Sequence, residues 1–313
     1  MKATELLDLF AASGKRAHLI GSTSHGLIAG LDLEGRLYAV YDNRVLNRVN
    51  PQAVSGYSVL DTYHNPGGDG LWPAPEGTSL GYSYATGSWR VPAGIRHARF
   101  RLTGQSPGRA VIQSEADLVN SRGTGLPLLL ERDIQIRALQ AGLEVIVAES
   151  IQYLGTRPLD RNQALLAPWS LCQFDSGPGC EVVFPAQEQD VWDLYDTPSR
   201  DMRYREGELC HCITDGTRRY QVGIGGAVPR IEYRDPARKL RVVRQAEKPA
   251  PGAEYIDIRD ADPGKSPELQ GVRYSIYSDP AGFMEIEAAG ACPEVILPGL
   301  KLSQNVNTTY VFG

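Results

Sequence analysis

Between His64 and Glu76 the chain reads His-Asn-Pro-Gly-Gly-Asp-Gly-Leu-Trp-Pro-Ala-Pro-Glu. His64 is an acid or a base, Asp69 and Glu76 are carboxylates, and Trp72 is a flat apolar ring. Three glycines open backbone conformations closed to other residues, and three prolines fix the path. A pyranose presents hydroxyls at its edge and weakly apolar C–H faces, so hydrogen-bonding groups beside an aromatic platform suit a sugar. Glycine and proline also break regular structure, so the segment reads as a loop with a part-buried Trp. A second candidate set lies near the C-terminus, in Phe283-Met-Glu-Ile-Glu287. On a strand Glu285 and Glu287 share one face and Met284 and Ile286 the other. Paired carboxylates of that kind transfer protons when burial raises their affinity for one. Trp89 and Trp169 are further platform candidates, and Gln173 shares a predicted strand with Trp169. His25 reads as a turn residue, and His18 and His97 as structural or surface groups.

The elements that must position these groups are mostly strands. One short helix is predicted at Thr4–Ser13, with Thr4 as N-cap, Leu6, Leu7, Leu9 and Phe10 on one face, and Gly14 as terminator. Alternation over Leu128–Ala138 and Leu143–Tyr153, joined through Gln140-Ala141-Gly142, predicts a long antiparallel hairpin with one wet face. Asp215-Gly216 predicts a second hairpin between Cys210–Thr214 and Thr217–Val222. Further strand patterns recur to the C-terminus, with connections too short and polar for crossover helices. The expected fold class is all-β, antiparallel sheets packed face to face as a single domain over residues 1–313. The irregular stretches Asn43–Pro92 and Pro185–Glu208 are too long for plain connectors, and long loops on a rigid sheet are where binding residues gather.

Composition narrows the chemistry. A net charge of −5 argues against nucleic acid as a partner. The cluster Arg230, Arg234, Arg238, Arg241 and Arg244, interrupted by Glu232 and Asp235, reads as the solvated face of a strand pair. Glu5 and Asp8 stand where a signal peptide needs an apolar stretch, and no membrane-length apolar run occurs, so a cytoplasmic protein without a membrane partner is expected. Five irregularly spaced cysteines fit reduced thiols. In Cys210-His211-Cys212 the cysteines face one way and the histidine the other, and no second ligand pair follows, so no metal site is expected. Gly223-Ile-Gly-Gly-Ala-Val-Pro229 lacks dinucleotide-binding spacing, and no Walker loop, nucleophile elbow or zinc-protease motif occurs, so no cofactor is expected.

At three points the chain resembles one superfamily. Gly67-Gly68-Asp69-Gly70-Leu71-Trp72-Pro73-Ala74-Pro75-Glu76, Ala167-Pro168-Trp169-Ser170-Leu171-Cys172-Gln173, and Phe283–Glu287 followed by Ile296-Leu-Pro-Gly-Leu300 are similar in order and type to segments of the galactose mutarotase-like superfamily. The resemblance is to proteins close to aldose 1-epimerase, and especially to an uncharacterised bacterial branch. It implies a β-supersandwich with a sugar site, and an aldose mutarotase or hexose epimerase acting on a monosaccharide or modified sugar. A non-catalytic sugar-binding protein of the same fold is the alternative. In aldose epimerases a C-terminal Glu takes the anomeric proton and a His of a His-Pro-Tyr-Phe strand protonates the ring oxygen. The resemblance therefore implies Glu287, or failing it Glu285, as base. Pro168-Trp169-Ser170 stands where that His is expected, which makes the displaced His64 the replacement acid. Asp69, Trp72, Glu76, Trp89, Trp169 and Gln173 are the expected sugar contacts.

Overall fold

The computed structural model describes residues 1–196 and 198–313. Two ten-stranded antiparallel sheets dominate it. The first runs in the order Ala17–Gly21, His25–Gly30, Arg36–Tyr41, Asp69–Ala74, Ala167–Asp175, Phe283–Ala289, Tyr274–Asp279, Tyr220–Ile224 and Val191–Asp193, with Arg44–Val45 added beside Arg36–Tyr41. The second runs Arg203–Glu206, Leu209–Ile213, Glu181–Pro185, Ile231–Asp235, Leu240–Ala246, Lys301–Phe312, Gly142–Tyr153, Gly125–Leu139, Arg109–Val119 and Arg101–Ser106. The long hairpin is present, with Leu128 opposite Tyr153 and Leu139 opposite Gly142. Its alternating burial follows from one face packing inward and the other meeting water.

The inner faces meet in one apolar cluster that includes Phe174, Tyr233, Ile286 and Tyr310. Phe174 stacks on Tyr233 at 4.8 Å between ring centroids. The three central strands of the first sheet, at Asp69–Ala74, Ala167–Asp175 and Phe283–Ala289, are buried on both faces. Their outer face must therefore be covered by something other than the second sheet. Part of the first sheet's outer face lies under the N-terminal helix, Ala3–Ala12, which puts Leu6 and Phe10 against Ile28, Tyr38 and Val40. The helix starts earlier than the sequence suggests: Lys2, two residues before Thr4, is the N-cap, and its N–H donates to the Glu5 carboxylate at 2.8 Å. Gly14 ends it with φ of +64°. No helix among the described residues is long and apolar enough to cross a membrane.

Two sequence readings are corrected here. The segment read as a Gly/Pro loop contains an internal strand, Asp69–Ala74. Gly67 and Gly68 turn into it with φ of +78° and +69°, and a Cβ on Gly67 would lie 2.3 Å from the Arg48 carbonyl oxygen, so only glycine fits. The Asp215-Gly216 turn forms, with the Asp215 carboxylate accepting from the Thr217 N–H at 3.0 Å. It does not close a hairpin, because Leu209–Ile213 belongs to the second sheet and Tyr220–Ile224 to the first. The turn carries the chain between layers, which a local signal cannot distinguish from a return along the same sheet.

Candidate functional site

The cleft that covers the central strands is built by register. Glu285 stands opposite Gln173 on one side and Tyr277 on the other, and Tyr277 stands opposite Gln221. One rung away, Glu287 lies between Leu171 and Ser275, and Trp169 pairs with Trp72. Directly opposed residues share a face, so these side chains all rise from the outer face of the first sheet. Connecting segments add Tyr63, Asn65, Glu76, Trp89, Tyr195 and Asp260 as walls, and the enclosed cleft measures about 310 Å³. That volume is at the small end of ligand sites and suits one small polar molecule.

The floor is acidic and tightly held. Trp169 Nε1 donates to Glu287 Oε2 at 3.1 Å, and Gln221 Nε2 approaches the same carboxyl at 3.3 and 3.4 Å. Gln173 Nε2 donates to Glu285 Oε1 at 2.5 Å and to Asn65 Oδ1 at 2.9 Å. Burial raises Glu287 well above the usual carboxylate range, and the neighbouring Glu285 charge adds to it. Glu285 is also raised by burial, but the hydrogen bond from Glu287, the Arg36 charge and Gln173 oppose the rise. The protonated form is therefore favoured more strongly at Glu287 than at Glu285, which leaves Glu285 the more readily ionised member of the pair. Glu76 is raised well above its ordinary value, first by burial, then by the charges of Asp260 and Glu285. Both influences favour its protonated form.

The apolar surface comes from indoles. Trp72 and Trp169 meet edge to face at 6.4 Å between centroids, and Tyr63 lies 6.1 Å from Trp72. Arg36 sits over the Trp72 ring at 5.8 Å, held by Glu34 at 2.8 Å and Tyr63 at 3.0 Å. Space for its guanidinium exists because residue 70 is glycine, where a Cβ would lie 2.7 Å from Arg36 Cζ. At the other end, Arg219 donates to Tyr277 at 3.0 Å and to Tyr195 at 3.1 Å. Trp72 Nε1, Gln173 Oε1 and Gln221 Oε1 are buried without a hydrogen-bond partner among the described residues. Such groups are costly unless a ligand or solvent satisfies them.

Of the residues singled out in the sequence, Trp72, Glu76, Trp89, Trp169, Gln173, Glu285 and Glu287 line this cleft. Asp69 does not. It pairs in register with Cys172 and so points between the sheets, where it accepts from Arg244 at 2.8 Å, Arg132 at 3.1 Å and Ser170 at 3.0 Å. Burial would raise its pKa, but the two guanidinium groups outweigh burial and pull it down to about 2. The same contact overturns the reading of Arg244 as a solvated residue, since it is fully buried. His64 also lies elsewhere, in a separate hollow with Lys15, Tyr57 and Pro66, its N–H bonded to Ser58 Oγ at 3.0 Å. Asn65, the next residue along, lines the cleft instead. Arg36, Tyr63, Asn65, Leu171, Tyr195, Arg219, Gln221, Asp260, Tyr277 and Phe283 complete the lining, and of these only Asn65, Leu171 and Phe283 lie in the motifs singled out in the sequence. Cross-strand partnership, of Tyr277 with Glu285 and of Gln221 with Tyr277, is the signal that marks these two residues, and it requires the pairing to be known. His211, expected to face away from Cys210 and Cys212, pairs with Glu181 at 2.9 Å. No cluster of three or more metal-ligating side chains occurs among the described residues.

The same architecture is found in solved structures. A proposed aldose 1-epimerase from Escherichia coli K12 shares it at 12% identity with a TM-score of 0.57, covering 96% of this chain and 100% of that one. A galactose mutarotase-like protein from Lactobacillus casei is similar at 12% identity and a TM-score of 0.57, over 94% of this chain and 100% of that one. Another, from Clostridium acetobutylicum, is similar at 10% identity and a TM-score of 0.53, over 96% and 98% respectively. These likenesses establish a galactose mutarotase-like fold. No curated protein sequence matches the chain. A family model described as a family of unknown function matches residues 47–257, which hold the Trp72, Glu76, Trp169 and Gln221 parts of the cleft. That match spans more than half of the chain, and the protein belongs to this family, DUF6786.

Proposed function

We propose that the protein is a carbohydrate-active enzyme, an aldose mutarotase or hexose epimerase that works by acid and base catalysis on a sugar or modified sugar. Residues 1–313 act as one domain in this reading, in a reducing, cytoplasmic setting that the five unpaired cysteines support. The observation that carries the reading is the Glu285–Glu287 pair on the floor of a small cleft that Glu76 and three indoles also line. The pair, with Glu285 as its more readily ionised member, accepts the proton of an anomeric hydroxyl. Glu76, whose burial favours the protonated form, donates to the ring oxygen, a role for which His64 is out of place. The ring C–O bond breaks as the anomeric carbonyl forms, and reclosure on the other face runs the same transfers backward. Trp72, Trp89 and Trp169 offer flat surfaces to the sugar's C–H face, while the unpartnered Gln173 and Gln221 oxygens accept from its hydroxyls.

A sugar-binding protein without catalysis is the second reading. It is favoured by one observation: no histidine lines the cleft among the described residues. Polarimetry of freshly dissolved single anomers, paired with saturation-transfer NMR over a panel of aldoses, separates the two. The enzyme reading expects mutarotation in proportion to protein added. Saturation transfer without faster exchange selects the binding reading, and the absence of both removes the sugar assignment.

A further inference from the structure

Outside the cleft, a second pocket of about 520 Å³ opens where the edge strands of the two sheets come together, Val191–Asp193 of the first and Arg203–Glu206 of the second. Cys210 lines it. Pairing fixes the surroundings of that thiol: Arg205 stands opposite Cys210 and Arg203 opposite Cys212, so both arginines share a sheet face with both sulfurs. Arg200 and Trp192 add a third guanidinium and an aromatic wall. The pocket's carboxylates are Asp193, which is bound to Arg203 at 3.0 Å, and Glu188. Cys212 is fully buried, whereas Cys210 is 5% exposed and lines the pocket.

We propose that Cys210 is a thiol-exchange site for an anionic low-molecular-weight disulfide of the glutathione type. The Cys210 thiolate attacks one sulfur of the disulfide. A protein–sulfur bond forms as the original S–S bond breaks, and the other half leaves as a thiolate, so the disulfide is itself the oxidant and no further reactant is needed. Arg200 and Arg205 draw in the carboxylates of the disulfide, and Trp192 packs against its backbone. A hydrogen bond from the Cys212 thiol is the main influence on Cys210; burial opposes it, and Arg203 and Arg205 add to it, bringing the thiol down to about 7. A thiol in that range is substantially ionised near neutral pH while still nucleophilic.

The test uses the reduced full-length protein at pH 7. Oxidised glutathione is expected to add one glutathionyl group, found by intact mass and mapped to the Cys210 peptide, and Cys210→Ser abolishes it. Two chromogenic disulfides separate charge recognition from mere access: dithiobis(nitrobenzoate), a dianion, and dithiodipyridine, which is neutral. Arg205→Gln and Arg200→Gln are each expected to slow the dianion by ~10-fold and the neutral reagent by less than about twofold. Cys212→Ala is expected to move the midpoint of the pH–rate curve from about 7 toward the ordinary thiol value of about 8.5. Thermal melts verify that each variant is folded. Reaction only on unfolding, reaction at another cysteine, or equal slowing of both reagents overturns the proposal.

Discussion

Asp69→Asn separates a carboxylate that serves the fold from one that serves a ligand. In the wild-type interior, Arg132 and Arg244 face Asp69 and Glu149, with Arg132 bound to Glu149 at 2.6 Å and Arg244 bound to Asp69 at 2.8 Å. The amide leaves two buried guanidinium groups against one carboxylate. Breaking such a pair from one side costs about 3–5 kcal/mol, because a buried charge loses its partner. Linkage supplies a second route to the magnitude. The carboxyl falls from 3.8 to about 2 on folding, and each unit is worth about 1.4 kcal/mol, so its ionisation stabilises the fold by about 2–3 kcal/mol at neutral pH. The folded pKa is the lower one, so this stability is complete above the unfolded value and is lost as pH falls through the folded value. Together the routes bracket a loss of about 2–5 kcal/mol. A chain of 313 residues has an unfolding entropy of about 0.7 kcal/mol/K, so Tm is expected to drop by about 3–8 °C. Calorimetric melts at pH 7 measure the drop, and titration calorimetry measures sugar affinity, which is expected to stay within about twofold in the folded variant. An unchanged Tm with lost sugar binding would refute the structural assignment of Asp69.

Glu285→Gln and Glu287→Gln are each expected to slow anomer exchange by roughly 10²–10⁴-fold with sugar binding retained; polarimetry showing wild-type rates in both variants ends the assignment of the pair as base. His64→Ala is expected to leave the exchange rate within about twofold, since the imidazole lies in another hollow; a larger loss in the same assay returns His64 to the site. Glu76 has a raised folded pKa, so its contribution is complete below the ordinary 4.5 and declines as pH rises through the folded value. Glu76→Gln, neutral throughout, is expected to gain Tm on wild type as pH is raised from 4.5 to about 9, and a flat or shrinking difference contradicts a buried neutral carboxyl. Gly70→Ala pushes a methyl group to 2.7 Å from Arg36 Cζ, and a loss of about 1–3 kcal/mol with weakened sugar binding is expected in denaturation and binding assays; wild-type behaviour in both dissociates Arg36 from the cleft.

The sequence by itself determined the class of the fold and the membership of much of the cleft. Strand alternation is a local period, so the hairpin of Gly125–Leu139 and Gly142–Tyr153 was legible from residue types alone. Trp72, Glu76, Trp169, Glu285 and Glu287 were legible because their segments resemble those of known proteins. Tertiary structure decided which way those residues face. The Asp69–Ala74 strand is buried on both sides, so it shows no alternation, and only its pairing with Ala167–Asp175 sends Trp72 to the cleft and Asp69 to the interior. A shift of one residue in that register would exchange them. Gln221 and Tyr277 entered the site through strands far apart in sequence from Gln173, aligned by ladder hydrogen bonds that no local pattern encodes. Asp215-Gly216 was readable as a turn, but whether it returned the chain to its own sheet or passed it to the other depended on which edges were left to pair. Residue type and spacing supply the chemistry available to the cleft, while strand register and sheet choice, being long-range pairings, select which of those groups meet.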